Sequence, residues 1–209
     1  MKKLAVFDFD ATLMDGETIG FLARELGIDS EVHKITKDAM EGKIDFFESL
    51  QMRVKLLKGL SLKRALEICE NLPFIEGAFE LIEYLKRKGY ICVCFSGGFE
   101  IATSPAVKKL GLHTAFANIL HQKDGVLTGR VGGSMMFDDS KGIMIQKLQA
   151  MLQISSEETL SVGDGANDIS MFKHAGRSVA FCAKDILKPH ATHIVDKKDL
   201  REIKKLITN

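Results

Sequence analysis

The sequence predicts an α/β protein: a parallel sheet covered by helices on both faces, with a small helical segment inserted after the first strand. Three observations predict it. Short, unbroken apolar runs at Leu4–Phe7 and Tyr90–Phe95 read as strands of a parallel sheet, the first buried on both faces, and Thr159–Val162 reads as another strand. From Pro73 onward such runs alternate with amphipathic stretches. Between Asp15 and Leu72 nothing reads as a strand bounded by turns. The expected division is a core domain of residues 1–14 and 73–209 and a helical cap domain of residues 15–72.

The elements follow in order. Asp15 is an N-cap candidate for a helix carrying Ile19, Leu22 and Leu26, with Gly27 as its stop. A second helix covers the thirties and ends near Gly42, and a third runs from Asp45 to Lys58 before Gly59. Ser61 caps a fourth, with Leu62, Leu66 and Cys69 on one face, closed by Pro73. Gly77–Lys88 is amphipathic and leads into the strand Tyr90–Phe95. A helix spans about Phe99 to Leu110, with Pro105 inside it. Phe116–Leu120 and Val126–Val131 flank Asp124-Gly125, a strong hairpin signal. Ser140 opens a helix whose apolar face is Met144, Ile145, Leu148, Met151 and Leu152. After Thr159–Val162, a helix continues to His174. Ser178–Phe181, a short helix near Ile186, His193–Val195 and a closing helix from Asp199 complete the alternation.

Composition excludes several classes. The formal net charge is +1, so no global field draws nucleic acid or an anionic membrane. No apolar run approaches the roughly 18 residues needed to span a bilayer, and Asp8 and Asp10 break the stretch that would serve as a signal-peptide core. A cytoplasmic location is the expectation. Cys69, Cys92, Cys94 and Cys182 form no C-x-x-C pair and the histidines do not cluster, which argues against a transition-metal site.

Three strands end in residues suited to chemistry, and parallel sheets bind ligands beyond their strands' carboxyl ends. Asp8 and Asp10 stand at i and i+2, so two like charges point the same way in extended backbone. A hard divalent cation such as Mg²⁺ relieves that repulsion, although an Asp pair also caps turns. Ser96-Gly97-Gly98 precedes a helix N-terminus and suits either a phosphate or a plain strand-to-helix turn. Asp164, Asn167 and Asp168 share a first helical turn and, with Asp8 and Asp10, make an oxygen cage for one Mg²⁺. Lys141 sits in a first turn, where the helix dipole disfavours a cation. Arg53 interrupts the apolar stripe Phe46, Leu50, Leu57 and needs an anionic partner, either an acid of another helix or a ligand.

Phe7-Asp8-Phe9-Asp10-Ala11-Thr12-Leu13, Ser96-Gly97-Gly98, Lys141 and Gly163-Asp164-Gly165-Ala166-Asn167-Asp168 resemble the four ordered motifs of the haloacid dehalogenase superfamily of phosphohydrolases. Glu17-Thr18, Ala39-Met40-Glu41-Gly42-Lys43, Arg53-Val54, Phe116-Ala117-Asn118, Asp168-Ile169-Ser170-Met171-Phe172 and Ala180-Phe181-Cys182-Ala183-Lys184 resemble its phosphoserine phosphatase family in particular. The resemblance covers essentially the whole chain and departs at Ala11, where these enzymes often carry Ser or Gly.

It implies a Rossmann-like core, with Asp8 as the nucleophile and Asp10 as acid, then base. It places Mg²⁺ on Asp8, the Asp10 carbonyl and Asp164, with Asp168 reaching the ion through water or holding the loop. It assigns the phosphoryl oxygens to Ser96, Gly97 and Lys141, and a supporting role to Asn167. The expected activity is hydrolysis of O-phosphoserine, the last step of serine biosynthesis. Arg53 is expected to grip the substrate carboxylate and Glu17 its ammonium, with Met40 and Phe46 lining the apolar part of the pocket. Two rivals are a transferase passing the phosphoryl group to another small alcohol and a receiver-like module phosphorylated on Asp. The second lacks both a cap and the acid two residues past the nucleophile.

Overall fold

The computed structural model describes residues 2–40 and 43–207, and of Met40 only the backbone; the predicted stop at Gly42 and the Met40 side chain lie outside the described residues. The chain runs β1 (Lys3–Phe7), α1 (Thr18–Glu25), α2 (Asp29–Met40), α3 (Phe46–Leu56), α4 (Leu62–Glu70), α5 (Ala78–Arg87) and β2 (Tyr90–Phe99). It continues as α6 (Glu100–Leu110), β3 (Thr114–Lys123), β4 (Val126–Gly133), α7 (Ser140–Leu152), β5 (Thr159–Gly163), α8 (Ile169–Phe172), β6 (Arg177–Phe181) and β7 (His193–Val195). Short 3₁₀ turns fill Ala166–Asp168, Lys188–His190 and Leu200–Leu206, so the closing helix after Asp199 is 3₁₀.

The seven strands form one sheet in the order β4-β3-β2-β1-β5-β6-β7. All neighbours are parallel except β3 and β4. That pair is the predicted hairpin, turning through Asp124 at φ 51° and Gly125 at φ 78°, two left-handed residues whose twist matches the strands. The central strand alternates between two cores. Ala5 and Phe7 face the side covered by α5, α6 and the inserted helices, while Leu4 and Val6 face α7 and α8. All four are fully buried, which is why the run is apolar without alternation.

The inserted helices share the first of these cores: Leu50, Val54, Leu57 and Ala65 belong to the same cluster as Leu120 and Leu127 of the hairpin. Backbone bonds from Gly59 to Leu127, from Leu127 to Leu60 and from Leu62 to Gly125 tie the hairpin to the end of α3 and the start of α4. Both ends of the insertion meet in one place, since Asp15 N donates to Pro73 O and Ile75 N to Leu13 O, each at 2.9 Å.

Several local expectations change. Asp15 does not cap α1; Glu17 occupies the cap position, and the Asp15 carboxylate pairs instead with Lys198 at 2.6 Å. α7 opens at Ser140 as expected, with Asp139 in the cap position. Cys69, Ile145 and Leu148 face inward as expected, with Ala65 beside Cys69, but Leu66 and Met151 lie at the edges of their helical stripes and are exposed. Cys92 and Cys94 are buried free thiols, as their strand position implies. Among the described residues no helix is long and apolar enough to cross a membrane.

Candidate active site

The sheet brings the three predicted strand ends to one edge. Asp8 directly follows β1, fixed by its amide donating to Val162 O at 2.9 Å. The chain then turns sharply, with Phe9 O accepting from Leu13 N at 3.0 Å and Met14 N at 2.9 Å. Ala11 takes φ 57° in that turn. A β-carbon there costs about 1–2 kcal/mol relative to glycine's freedom, a strain this chain carries beside its chemistry.

Asp8, Asp164 and Asp168 are all buried, and each offers a carboxylate oxygen within 4.8 Å of the others. Lys141 reaches them from the first turn of α7, donating to Asp8 Oδ1 and, at 2.6 Å, to Asp168 Oδ1. Asp168 folds back on its own loop, its Oδ2 accepting from Asp164 N at 2.9 Å and Gly165 N at 3.0 Å. It therefore braces the loop and anchors Lys141 at once. Burial alone would pull the Lys141 ammonium toward neutrality, but Asp168 and Asp8 hold it protonated. Three carboxylates still outweigh one ammonium. Burial, with Asp168 and Asp164 close by, raises Asp8 well above the usual carboxylate range despite Lys141, and burial with Asp168 pushes Asp164 up to about 6. A divalent cation fits such a surplus of buried oxygen charge.

Gly163 makes the brace possible. A Cβ built there would lie 2.3 Å from Asp168 Oδ2, an atom held by two backbone amides. Gly163→Ala is expected to cost about 1–3 kcal/mol of stability, as overpacking does. It should also cut turnover at least about tenfold by displacing Lys141's anchor, as small misplacements of reacting groups do. Denaturant unfolding and steady-state kinetics check the two halves separately.

Asp10 lies beside the cluster but outside it. Its Oδ1 accepts from Thr18 N at 2.9 Å and Thr18 Oγ1 at 2.5 Å. Its Oδ2 faces the Ser96-Gly97-Gly98 segment, since a Cβ on Gly98 would come within 2.9 Å of it. Burial raises the Asp10 pKa, with the Thr18 bonds pulling the other way. The strand expected to stop at Phe95 continues through this segment to Phe99. Ser96 Oγ accepts from Gly98 N at 2.9 Å, which leaves its hydroxyl proton free to donate. The buried Asn118 then clamps the loop, its Nδ2 donating to Gly97 O and Met135 O and its Oδ1 accepting from Met135 N.

Above these groups lies a cleft of about 1240 Å³ between the inserted helices and the sheet edge. Of the predicted site residues, Asp8, Asp10, Glu17, Phe46, Arg53, Gly97, Asp164 and Asn167 line it, while Ser96, Lys141 and Asp168 lie buried beneath its floor. Phe46 approaches the floor closely, its ring 2.9 Å from where a Cβ on Gly97 would stand. Among the described residues, Arg53 has no ion pair. Its Nε donates to Ser49 O at 3.1 Å, one turn back on α3, and its nearest negative charges are Glu17 and Asp10. Glu17 is open to the cavity yet crowded by protein. That crowding and Asp10's charge push its carboxyl up to about 7, against the pull of Lys184, Arg53 and Lys141.

Sequence reasoning did not assign Thr18, Asn118 or Lys184 to the site. All three stand in motifs of the resemblance (Glu17-Thr18, Phe116-Ala117-Asn118 and Ala180-Phe181-Cys182-Ala183-Lys184) without a role attached, and nothing local marks Thr18 as the partner of an acid eight residues away.

Comparison with known proteins identifies the family and the fold. A family model described as haloacid dehalogenase-like hydrolase matches residues 2–176. A phosphoserine phosphatase of Wolinella succinogenes is 61% identical over 96% of this chain and 98% of its own length. One from Methanocaldococcus jannaschii is 51% identical over 99% of this chain and 98% of its own. A solved phosphoaspartyl-intermediate analogue of phosphoserine phosphatase superposes with a TM-score of 0.95 at 51% identity, covering 99% of both chains. A substrate-bound phosphoserine phosphatase gives 0.95 at 50% identity over 100% of this chain and 99% of that one. The chain belongs to the haloacid dehalogenase-like hydrolase family.

Proposed function

We propose that this chain hydrolyses O-phosphoserine to serine and inorganic phosphate, the closing step of serine biosynthesis in the cytoplasm, with Mg²⁺ held by Asp8, Asp164 and the Asp10 main chain. The observation that carries the reading is one cleft with Asp8 against Lys141 at its floor and two opposite charges, Arg53 and Glu17, at its walls. That charge pattern complements the phosphate, carboxylate and ammonium of one small molecule. The relatives are phosphoserine phosphatases, and transfer to a second alcohol is not favoured.

The residues divide the work as follows. Asp8 attacks phosphorus and becomes an aspartyl phosphate as the P–O bond to serine breaks. Asp10, oriented through Thr18, gives its proton to the departing serine oxygen, then takes one from the water that attacks the phosphoaspartate. That attack releases phosphate and restores the Asp8 carboxylate. The Ser96 hydroxyl, the Gly97 amide and Lys141 stabilise the phosphoryl oxygens, and Asn118 keeps the loop preorganised. Bound Mg²⁺ supplies charge neutralisation on those same oxygens. The inserted helices form a cap that excludes bulk water.

The test is phosphate release from a panel of small phosphomonoesters with Mg²⁺, with a chelator, and with added alcohols. Phosphoserine is expected to be the best substrate, with chelation abolishing turnover and free phosphate matching serine formed. No release from phosphoserine overturns the reading.

Glu17 adds a pH signature. An ammonium is gripped by a carboxylate, not a carboxylic acid, and burial beside Asp10 pushes this carboxyl up to about 7. Glu17→Gln is therefore expected to cost about tenfold or more in kcat/KM at pH 8, in line with loss of a charged hydrogen bond. That ratio of wild type to variant should shrink toward one as pH falls to 6, whereas a purely structural Glu17 leaves it flat.

A further inference from the structure

The cleft presents a problem for its own substrate. Among the described residues, carboxylates outnumber cations along its walls, where only Lys43, Arg53, Lys173 and Lys184 are positive, yet the ligand carries a phosphate dianion. Lys43 pairs with Asp38 at 3.1 Å, and Arg53 is assigned to the carboxylate. Lys184 is placed differently. Its Nζ stands 3.7 Å from Asp164 Oδ2, too far for a hydrogen bond, with the side chain 43% exposed to the cleft. Its backbone is anchored to the same residue, the amide donating to Asp164 O at 2.9 Å. The bend that brings it there runs through Cys182, at φ 44°. A cation on a fixed base, loosely held by the floor and facing the entrance, is free to exchange Asp164 for an incoming anion.

We infer that Lys184 is a positioning residue that draws the phosphate group of the substrate down the acidic cleft and hands it to Ser96, Gly97 and Lys141. This rests on the phosphatase reading above and deepens it. A compact ammonium on a long flexible stem suits a moving contact, in contrast to the fixed fork of Arg53. Its contribution is to capture, so it falls on KM and on the binding of inorganic phosphate, and salt screens it.

The experiment compares wild type, Lys184→Gln and Lys184→Arg at saturating Mg²⁺. For Lys184→Gln, kcat/KM for phosphoserine and for phosphoethanolamine should both fall about five- to twentyfold at low ionic strength. kcat should stay within about twofold, and the deficit should shrink at ~0.5 M salt. Inorganic phosphate, titrated calorimetrically, should bind correspondingly more weakly, and Lys184→Arg should recover most of each effect. Unchanged phosphate affinity and salt dependence in Lys184→Gln overturn the inference while the wild type still turns over. Loss of kcat with unchanged KM, or a loss seen with phosphoserine alone, overturns it equally. A wild type that releases no phosphate from either ester overturns the underlying phosphatase reading.

Discussion

Asp8→Asn is expected to lower phosphate release from phosphoserine by at least about four orders of magnitude while leaving the fold in place. Asparagine keeps the shape and the Lys141 contact but has no negative charge to attack phosphorus. Lys141 retains Asp168 as a partner at 2.6 Å, so the substitution leaves no buried ammonium stranded. Stability follows from the sign of the shift. The Asp8 pKa is raised in the folded protein, so its ionisation opposes folding as pH rises above the ordinary carboxylate range. Removing that ionisation should leave the Tm of the metal-free protein unchanged or higher at pH 7. Single-turnover assays with acid quench should find no phosphorylated enzyme. Activity within a factor of ten of wild type would falsify the phosphoaspartyl mechanism.

Arg53→Ala is expected to lose about 2–5 kcal/mol of transition-state stabilisation for phosphoserine, the range for truncating one partner of a buried charged pair. Phosphoethanolamine lacks the carboxylate and should be affected far less. The prediction depends on Arg53 being uncommitted: it bonds only a carbonyl of its own helix and has no ion pair among the described residues. An arginine already locked to a neighbouring acid would be structural. Arg53→Lys should recover only part of the loss, because an ammonium does not form the bidentate contact. The measurement is the ratio of kcat/KM for the two esters in each variant. Equal slowing of both substrates would mean that Arg53 supports α3 and does not read the carboxylate.

What the sequence revealed and what it hid follow from range. Asp8, Ser96 and Asp164 were legible because each ends or closely follows an apolar run, and a parallel sheet must bring such ends together. The hairpin was legible because Asp124-Gly125 encodes its own left-handed turn. The faces of α4 and α7 were misread at Leu66 and Met151 because an apolar residue at the edge of a helical stripe satisfies the same periodicity as one at its centre. Asp15 looked like a cap, since acids usually are near helix starts, but its partner Lys198 lies at the far end of the chain. The grip of Thr18 on Asp10 and of Asn118 on two loops depends on tertiary placement that no local pattern encodes.

The position of β1 in the sheet sets the order in which this protein comes into being. Lys3 pairs with Tyr90 on one side, and Leu4 pairs with Thr159 on the other. During vectorial synthesis the strand bearing Asp8 is thus made long before either neighbour. Its first edge stays unpaired until β2 is made and its second until β5 emerges, and an unpaired apolar edge is exposed to aggregation meanwhile. Asp164 and Asp168 follow β5 in the chain, so Asp8 meets them only after that strand is made. A nascent chain that has not yet made β5 therefore lacks the cluster of Asp8, Asp164 and Asp168, and β6 and β7 complete the sheet edge only afterwards.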